Sequence, residues 1–249
     1  MTSEDLNQFY NRIGKEIGWY FSQVNTTSTG VKWSFYNRVK QLSKPTDTIL
    51  DLGTGGGENI LKLAPAVAHV DAVDQSPTMI QTARTNQQRL KIKNVTFHEM
   101  ASEEIEFLKQ SYELVSCCHA PFSAKAVERV VSENGIFLTQ QVSEGDKVNL
   151  KECFGRGQAF GVKDGTLKET YMDALKAAGF KEVFAQDYNA VEYYKSDEDL
   201  RFLLTHTPII DHFGKEEDDE KHFQTYLARY QTENGIETNS KRFMIIARR

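Results

Sequence analysis

The sequence predicts an α/β fold in which a largely parallel sheet carries helices on both faces. Three observations predict it. From residue 48 onward, short apolar runs alternate with helical patterns at a spacing of roughly 20–25 residues, the rhythm of βαβ crossovers. The first apolar run ends in a glycine-rich turn, Gly53-Thr54-Gly55-Gly56-Gly57, which opens a helix. The chain of 249 residues is 39% hydrophobic and 26% charged. At that size folding removes roughly 70–75% of the unfolded surface from water, so the core needs no metal or disulfide staples.

Taken in order, residues 1–44 read as two or three helical pieces. Leu6, Phe9, Tyr10, Ile13, Ile17 and Tyr20 recur at helical spacing, and Trp33, Tyr36, Val39 and Leu42 suggest a further helix that Pro45 ends. Thr48–Leu52 is a buried strand and Glu58–Ala64 a helix. Val70–Asp74 is the second strand, followed by a helix over Pro77–Arg89. Val95–His98 is the third strand and Tyr112–Cys118 the fourth, with a helix around Ala124–Val131. Gly135–Gln141 is the fifth. Residues 143–165, rich in glycine and polar residues, read as a long functional loop. Leu167–Ala178 is a helix capped by Gly179, and Phe180–Asp187 is a strand. Residues 197–233 are an inserted, mostly helical stretch broken at Pro208, and Lys241–Arg248 is the final strand. The whole, 1–249, reads as one domain with decorations.

Composition then excludes classes. Thirty Lys and Arg against 35 Asp and Glu give a net charge of -5, which argues against a generally basic nucleic-acid binder. Lys151, Arg156 and Lys163 are too sparse for an RNA-binding stripe, and the acidic run Glu216–Glu220 reads as a solvated face. The three cysteines, Cys117, Cys118 and Cys153, form neither a disulfide framework nor a C-x2-C zinc pair. No secretory leader is visible, and no apolar run reaches the roughly 18–20 residues that span a membrane. A reducing, cytoplasmic setting without membrane attachment is the expectation, with no metal.

The chemistry is concentrated in Ile49-Leu50-Asp51-Leu52-Gly53-Thr54-Gly55-Gly56-Gly57-Glu58. A dinucleotide site wants G-x-G-x-x-G, but its sixth position here is Glu58, so that frame fails. What stands is D-x-G-x-G-x-G: Asp51, Gly53, Gly55, Gly57. A carboxylate at the strand tip repels a pyrophosphate and suits a ligand bearing an ammonium group. This pattern resembles motif I of the class I S-adenosylmethionine (SAM) methyltransferases. Asp74, seventeen residues past Gly57, stands where that family has the acid that binds both ribose hydroxyls, an apt pairing of a two-oxygen acceptor with a two-donor diol. Gln75-Ser76-Pro77-Thr78-Met79 resembles the family's following D-x-S-x-x-M run. After the third strand the family's G-D-A register reads Glu99-Met100-Ala101-Ser102. Met100 replaces the Asp, which leaves the Ala101 N–H and the Ser102 hydroxyl for the adenine edge.

The resemblance covers residues 45–142 at the level of motifs and implies SAM as cofactor and S-adenosylhomocysteine as product. It assigns cofactor binding to Asp51, Gly53, Thr54, Gly55, Gly57, Asp74, Gln75, Met79, Met100, Ala101, Ser102 and Cys118. It also implies a Rossmann-like, seven-stranded mixed sheet of order 3-2-1-4-5-7-6 with the last strand antiparallel. In that frame 1–44 is a helical lid, 45–142 the cofactor core, and 143–249 completes the sheet, with acceptor-side insertions at 143–165 and 197–233.

On the acceptor side, amino methyltransferases carry [N/D]-P-P-[Y/F/W] after the fourth strand. Here the run is His119-Ala120-Pro121-Phe122, which argues against methylation of an exocyclic amine. His119 is the candidate general base, or else packs against the cofactor's methionine end. Phe122 either stacks a planar acceptor or packs in the core. Among the N-terminal aromatics Trp19, Tyr20, Phe21, Trp33, Phe35 and Tyr36, the candidate substrate contacts are Tyr20, Trp33 and Tyr36, joined by Arg156. The expected function is direct methyl transfer to a small-molecule acceptor by a monomer or homodimer. The alternatives are a ribosomal or transfer RNA methyltransferase, or a non-catalytic SAM-binding protein, which Met100 keeps open.

Overall fold

The structure is a computed structural model that describes residues 9, 11–13 and 23–249. Of the N-terminal positions singled out from the sequence, Leu6, Tyr10, Ile17, Trp19, Tyr20 and Phe21 lie outside the described residues.

The strand pattern that predicts a sheet buried on both faces is what forms. β2 (Thr48–Leu52) is buried from Ile49 onward and pairs in parallel with β3 (His69–Asp74) on one side and β5 (Tyr112–Cys118) on the other. β4 (Val95–Glu99) adds to β3, and β6 (Val131–Val142) to β5, both in parallel. β9 (Gly235–Arg248) runs antiparallel between β6 and β7 (Glu182–Tyr194). The resulting order β4-β3-β2-β5-β6-β9-β7 is the implied 3-2-1-4-5-7-6. Two further strands extend it among the described residues. β1 (Thr26–Thr29) pairs antiparallel with the far end of β7, and β8 (Gln231–Thr232) pairs with β9.

Side-chain alternation sends neighbouring residues of each strand to opposite faces. Ile49 joins one core, with Val39 and Phe35 of α1 (Phe35–Leu42), Leu61 of α2 (Ile60–Leu63), and Ile80 and Ala83 of α3 (Pro77–Leu90). Leu50 and Leu52 join the other, with Val127 and Val130 of α4 (Ala124–Val130) and Leu175 of α6 (Thr166–Ala178). Each fully buried leucine in these layers contributes about 1.5–3 kcal/mol relative to exposure. α3 starts where the sequence signals it. Ser76 caps it by accepting from the Met79 N–H at 3.3 Å, and Pro77 takes the first helical position.

Four expectations are corrected. Residues 26–29, within the stretch read as helical pieces, form a strand, because the threonine-rich run Thr-Thr-Ser-Thr finds an open edge on β7. The helix expected over Glu58–Ala64 is a single turn that tightens into a 3-10 turn at Ala64–Ala66 around Pro65. The loop at 143–165 contains a helix, α5 (Val148–Phe154), whose Leu150 and Phe154 are buried. β7 and β9 run well past their expected limits and pair from Glu182↔Arg248 to Tyr194↔Ile236. Their far ends are covered by a third apolar cluster built from Leu150 and Phe154, Leu200 and Leu204 of α7 (Asp197–His206), and Phe223 and Tyr226 of α8 (Asp219–Tyr230). No helix among the described residues is long and apolar enough to cross a membrane.

Candidate active site at the strand tips

The carboxyl ends of β2, β3 and β5 open into a cavity of about 500 Å³, within the range of small-molecule and cofactor sites. Its floor is the glycine turn. Gly53 and Gly55 both have left-handed φ, +69° and +57°, and line the cavity. A methyl group on Gly53 would fall on that of Ala120, so the turn after β2 and the turn after β5 touch backbone to side chain. Thr54 also lines the floor. Its hydroxyl is buried close enough to Asp51 to ease that group's ionisation, yet makes no well-formed hydrogen bond. An unfilled buried hydroxyl and a glycine cradle are features that suit a polar ligand approaching the backbone.

Asp74 stands on the cavity wall at the tip of β3. One carboxylate oxygen accepts from the Gly55 N–H and the other from the Ser76 N–H, both at 2.9 Å. These two bonds fix the carboxylate's plane and leave a lone pair on each oxygen for a ligand. Burial raises its pKa, and the two backbone bonds work against that rise. Gln75, Met79, Ser102 and Cys118 line the cavity too. Cys118 is no thiolate: burial, then Asp51, pushes its thiol up to about 12.

Other assigned residues lie elsewhere. Asp51 is completely buried beneath the floor. It accepts a hydrogen bond from Ser116 at 2.5 Å and a long one, 3.4 Å, from the Tyr36 hydroxyl, which itself lines the cavity. Asp51 therefore meets the cavity through Tyr36. Gly57, Met100 and Ala101 are not among the lining residues. Gly57 packs under Phe97, Ala83 and Leu61, and the Met100 N–H donates to the Asp74 carbonyl. Phe122 is buried in the core, edge-on to Phe137 and tilted on Tyr171 at 4.3 Å, and is not among the residues lining the cavity. Arg156 pairs with Asp219 at 2.5 Å, away from the strand tips. Tyr20 lies outside the described residues.

The insertions at 143–165 and 197–233 wall a second cavity of about 270 Å³, lined by Glu144, Asp146, Lys151, Gln158 and Ile209 among others. None of its lining residues is shared with the first. The charges beneath it are paired: Asp146 with Arg242, and Lys147 with Glu192.

Sequence reasoning missed Gln140, Ser34, Glu58, Asn59, Ser76 and Glu103 as lining residues. Glu58, Asn59, Ser76 and Glu103 adjoin motif residues in the chain and were findable by adjacency. Gln140 was not, because it reaches the site only through its pairing with Cys118 across β5 and β6. His119 lines the cavity with left-handed φ, +58°, at the tip of β5, a rare conformation for a side-chain-bearing residue. The residue keeps open surface, and desolvation of the ring, then the Arg242 charge, lower its pKa towards the neutral imidazole, with Asp146 acting against them.

A family model described as a methyltransferase domain matches residues 49–138. An uncharacterized methyltransferase of Bacillus subtilis, YcgJ, is 28% identical over 97 residues, 36% of this chain and 38% of that protein. The 23S rRNA (uracil(1939)-C(5))-methyltransferase RlmD of Klebsiella pneumoniae is 40% identical over 63 residues, 25% of this chain and 14% of that protein. The chain thus matches well under half the length of either curated relative. Among solved structures, YcgJ superposes with a TM-score of 0.64 at 19% identity, over 86% of this chain and 97% of that one. A functionally unknown protein of Deinococcus radiodurans does so at 0.65 and 16%, over 97% and 99%. These superpositions speak for the fold.

Proposed function

We propose that this chain, which belongs to the class I SAM-dependent methyltransferases, transfers a methyl group from SAM to a small-molecule acceptor by direct in-line displacement. The observation that carries the reading is Asp74: a carboxylate on the cavity wall, oriented by two backbone N–H groups and with both oxygens able to accept again. A ribose diol is the ligand group it suits. Gly53 and Gly55 let backbone approach the ligand, Ser102 offers a hydroxyl to the adenine edge, and Tyr36 stands over Asp51 at the methionine end.

When bound, SAM supplies a sulfonium-activated methyl carbon, so this chain's work is to align the acceptor and exclude water. Cys118, His119, Ala120, Pro121 and Gln140 form the wall on the acceptor side. The net charge of -5 and the lack of a basic stripe favour a small acceptor over RNA. RlmD acts on 23S rRNA by its name, and its likeness to this chain is confined to 63 residues, so RNA is kept as an arm of the test.

Calorimetry with SAM and with S-adenosylhomocysteine is the first measurement. Both should bind, and Asp74→Ala should weaken each by about 10–100-fold, the loss of hydrogen bonds to a charged group. Unchanged affinity in that variant refutes the ribose role, and no binding of either ligand at millimolar concentration refutes the whole reading. A labelled-methyl assay then offers total RNA and a metabolite extract in parallel. Label is expected in the metabolite fraction; label in RNA, or in neither, overturns the small-molecule acceptor.

A further inference from the structure

Trp33, Gln140 and His119 form a chain of side-chain hydrogen bonds that ends in the cavity. The indole Nε1–H of Trp33 donates and cannot accept, so the Gln140 atom 2.7 Å from it must be the carbonyl Oε1. Turning the amide over would set two donors against each other at that distance. The other end of Gln140 is then fixed as well: its Nε2–H donates to His119 Nε2 across 3.0 Å, and its second hydrogen turns towards the Cys118 sulfur at 3.8 Å.

A ring nitrogen that accepts carries no proton, so the imidazole's single proton sits on Nδ1. Trp33 is itself braced, edge-on to Tyr188 with ring centroids 4.6 Å apart. The His119 backbone is tied to the same partner, its N–H donating to the Gln140 carbonyl at 2.9 Å. The charged groups that bear on the ring are Arg242 on β9 and Asp146, which are paired with each other. Arg242 opposes a second proton on the ring, and the Asp146 charge that would favour one is already engaged.

We propose that Trp33 and Gln140 are positioning residues that hold His119 as the Nδ1-protonated tautomer, so that it presents a hydrogen-bond donor to the cavity and not a base. The consequence for the acceptor rests on the methyl-transfer reading. An acceptor in this site brings its own lone pair, as a neutral amine, a thiolate or an already ionised phenol or enol does. An un-ionised alcohol, which must lose its proton to a base during transfer, does not suit it.

The test reads the ring directly. Long-range proton–nitrogen NMR on the full-length protein distinguishes a protonated from a bare ring nitrogen, and His119→Asn identifies the signals. The wild type should show His119 protonated at Nδ1 and bare at Nε2 across neutral pH. Gln140→Glu puts a carboxylate opposite Nε2 and should move a proton onto that nitrogen. Trp33→Phe frees the Gln140 amide to turn over and should produce a mixture of tautomers. An Nε2-protonated His119 in the wild type overturns the inference, as does a tautomer indifferent to both substitutions. Neither result touches SAM binding, and a failure to bind SAM leaves the tautomer where it is, so the two readings fail separately.

Discussion

Asp51 shows how one residue can be costly to the fold and useful to the site. It is fully buried, and its carboxyl is pushed up from 3.8 to about 6, chiefly by desolvation, against the hydrogen bonds from Ser116 and Tyr36 and the nearby Thr54 hydroxyl that hold it down. A raised pKa means the folded state binds this proton more tightly than the unfolded chain does. The stability it contributes is complete below 3.8 and is lost as pH rises through about 6. Above that, the folded protein carries a buried charge at a cost of roughly 3 kcal/mol. Asp51→Asn should therefore raise the urea midpoint at pH 8, with the gain shrinking steadily towards pH 4. A gain independent of pH would show that the charge is not the cause. Asp51, Gly53 and Asp74 were legible in the sequence because a strand, its turn and the next strand place them at short, fixed spacings. The Trp33–Gln140–His119 chain was not, since its members lie far apart in sequence and meet only through strand pairing and the segment leading into α1.

At the scale of elements, the site depends on two turns fitting against each other. The turn after β2 needs Gly53 twice over: for its left-handed φ of +69° and for the space that Ala120 fills. Gly53→Ala should cost about 2–4 kcal/mol, part from the backbone and part from overlap with Ala120. Adding Ala120→Gly removes only the second part, so the double variant should regain some of the loss and not all of it, as chemical unfolding would measure. Full recovery would mean that the left-handed turn imposes no strain. The strands of this central region were legible because apolar runs bounded by turn residues admit little else. The β7–β9 ribbon was not. Along Tyr188-Asn189-Ala190-Val191-Glu192 burial alternates but residue type does not: Val191 is on the exposed face, and Glu192, on the other, is half-buried and paired with Lys147. Two adjacent apolar residues and an inward-facing acid break the period-2 pattern, so the strand reads as ending at Asp187. Helix α5 stayed hidden for a related reason: Lys147 and Lys151, which look like surface residues, are buried against Glu192 and backbone carbonyls.

For the whole molecule, the question is whether cofactor binding and global stability are one property or two. The cavity gathers residues from Asn11 to Gln140, so a ligand there bridges α1, three strand tips and two turns. None of it comes from β7, β9 or the third apolar cluster. Yet β9 belongs to both regions: Phe243 and Ile245 pack in the central core, while Ile236 packs in the third cluster. A strand shared in this way couples the two regions, so unfolding should be a single transition. A ligand held only by the folded state at a hundredfold excess over its dissociation constant adds about 2.7 kcal/mol. For a chain of this length that corresponds to a melting temperature about 5–10 °C higher. S-adenosylhomocysteine should therefore move one calorimetric peak upward as a whole, and Asp74→Ala, weakening binding about 10–100-fold, should cut the shift to between about half and a seventh at the same ligand concentration. Two peaks of which only the first responds would mean that the β7–β9 ribbon and its helices unfold apart from the cofactor region. In that case β9 joins the regions by hydrogen bonds without making them cooperative.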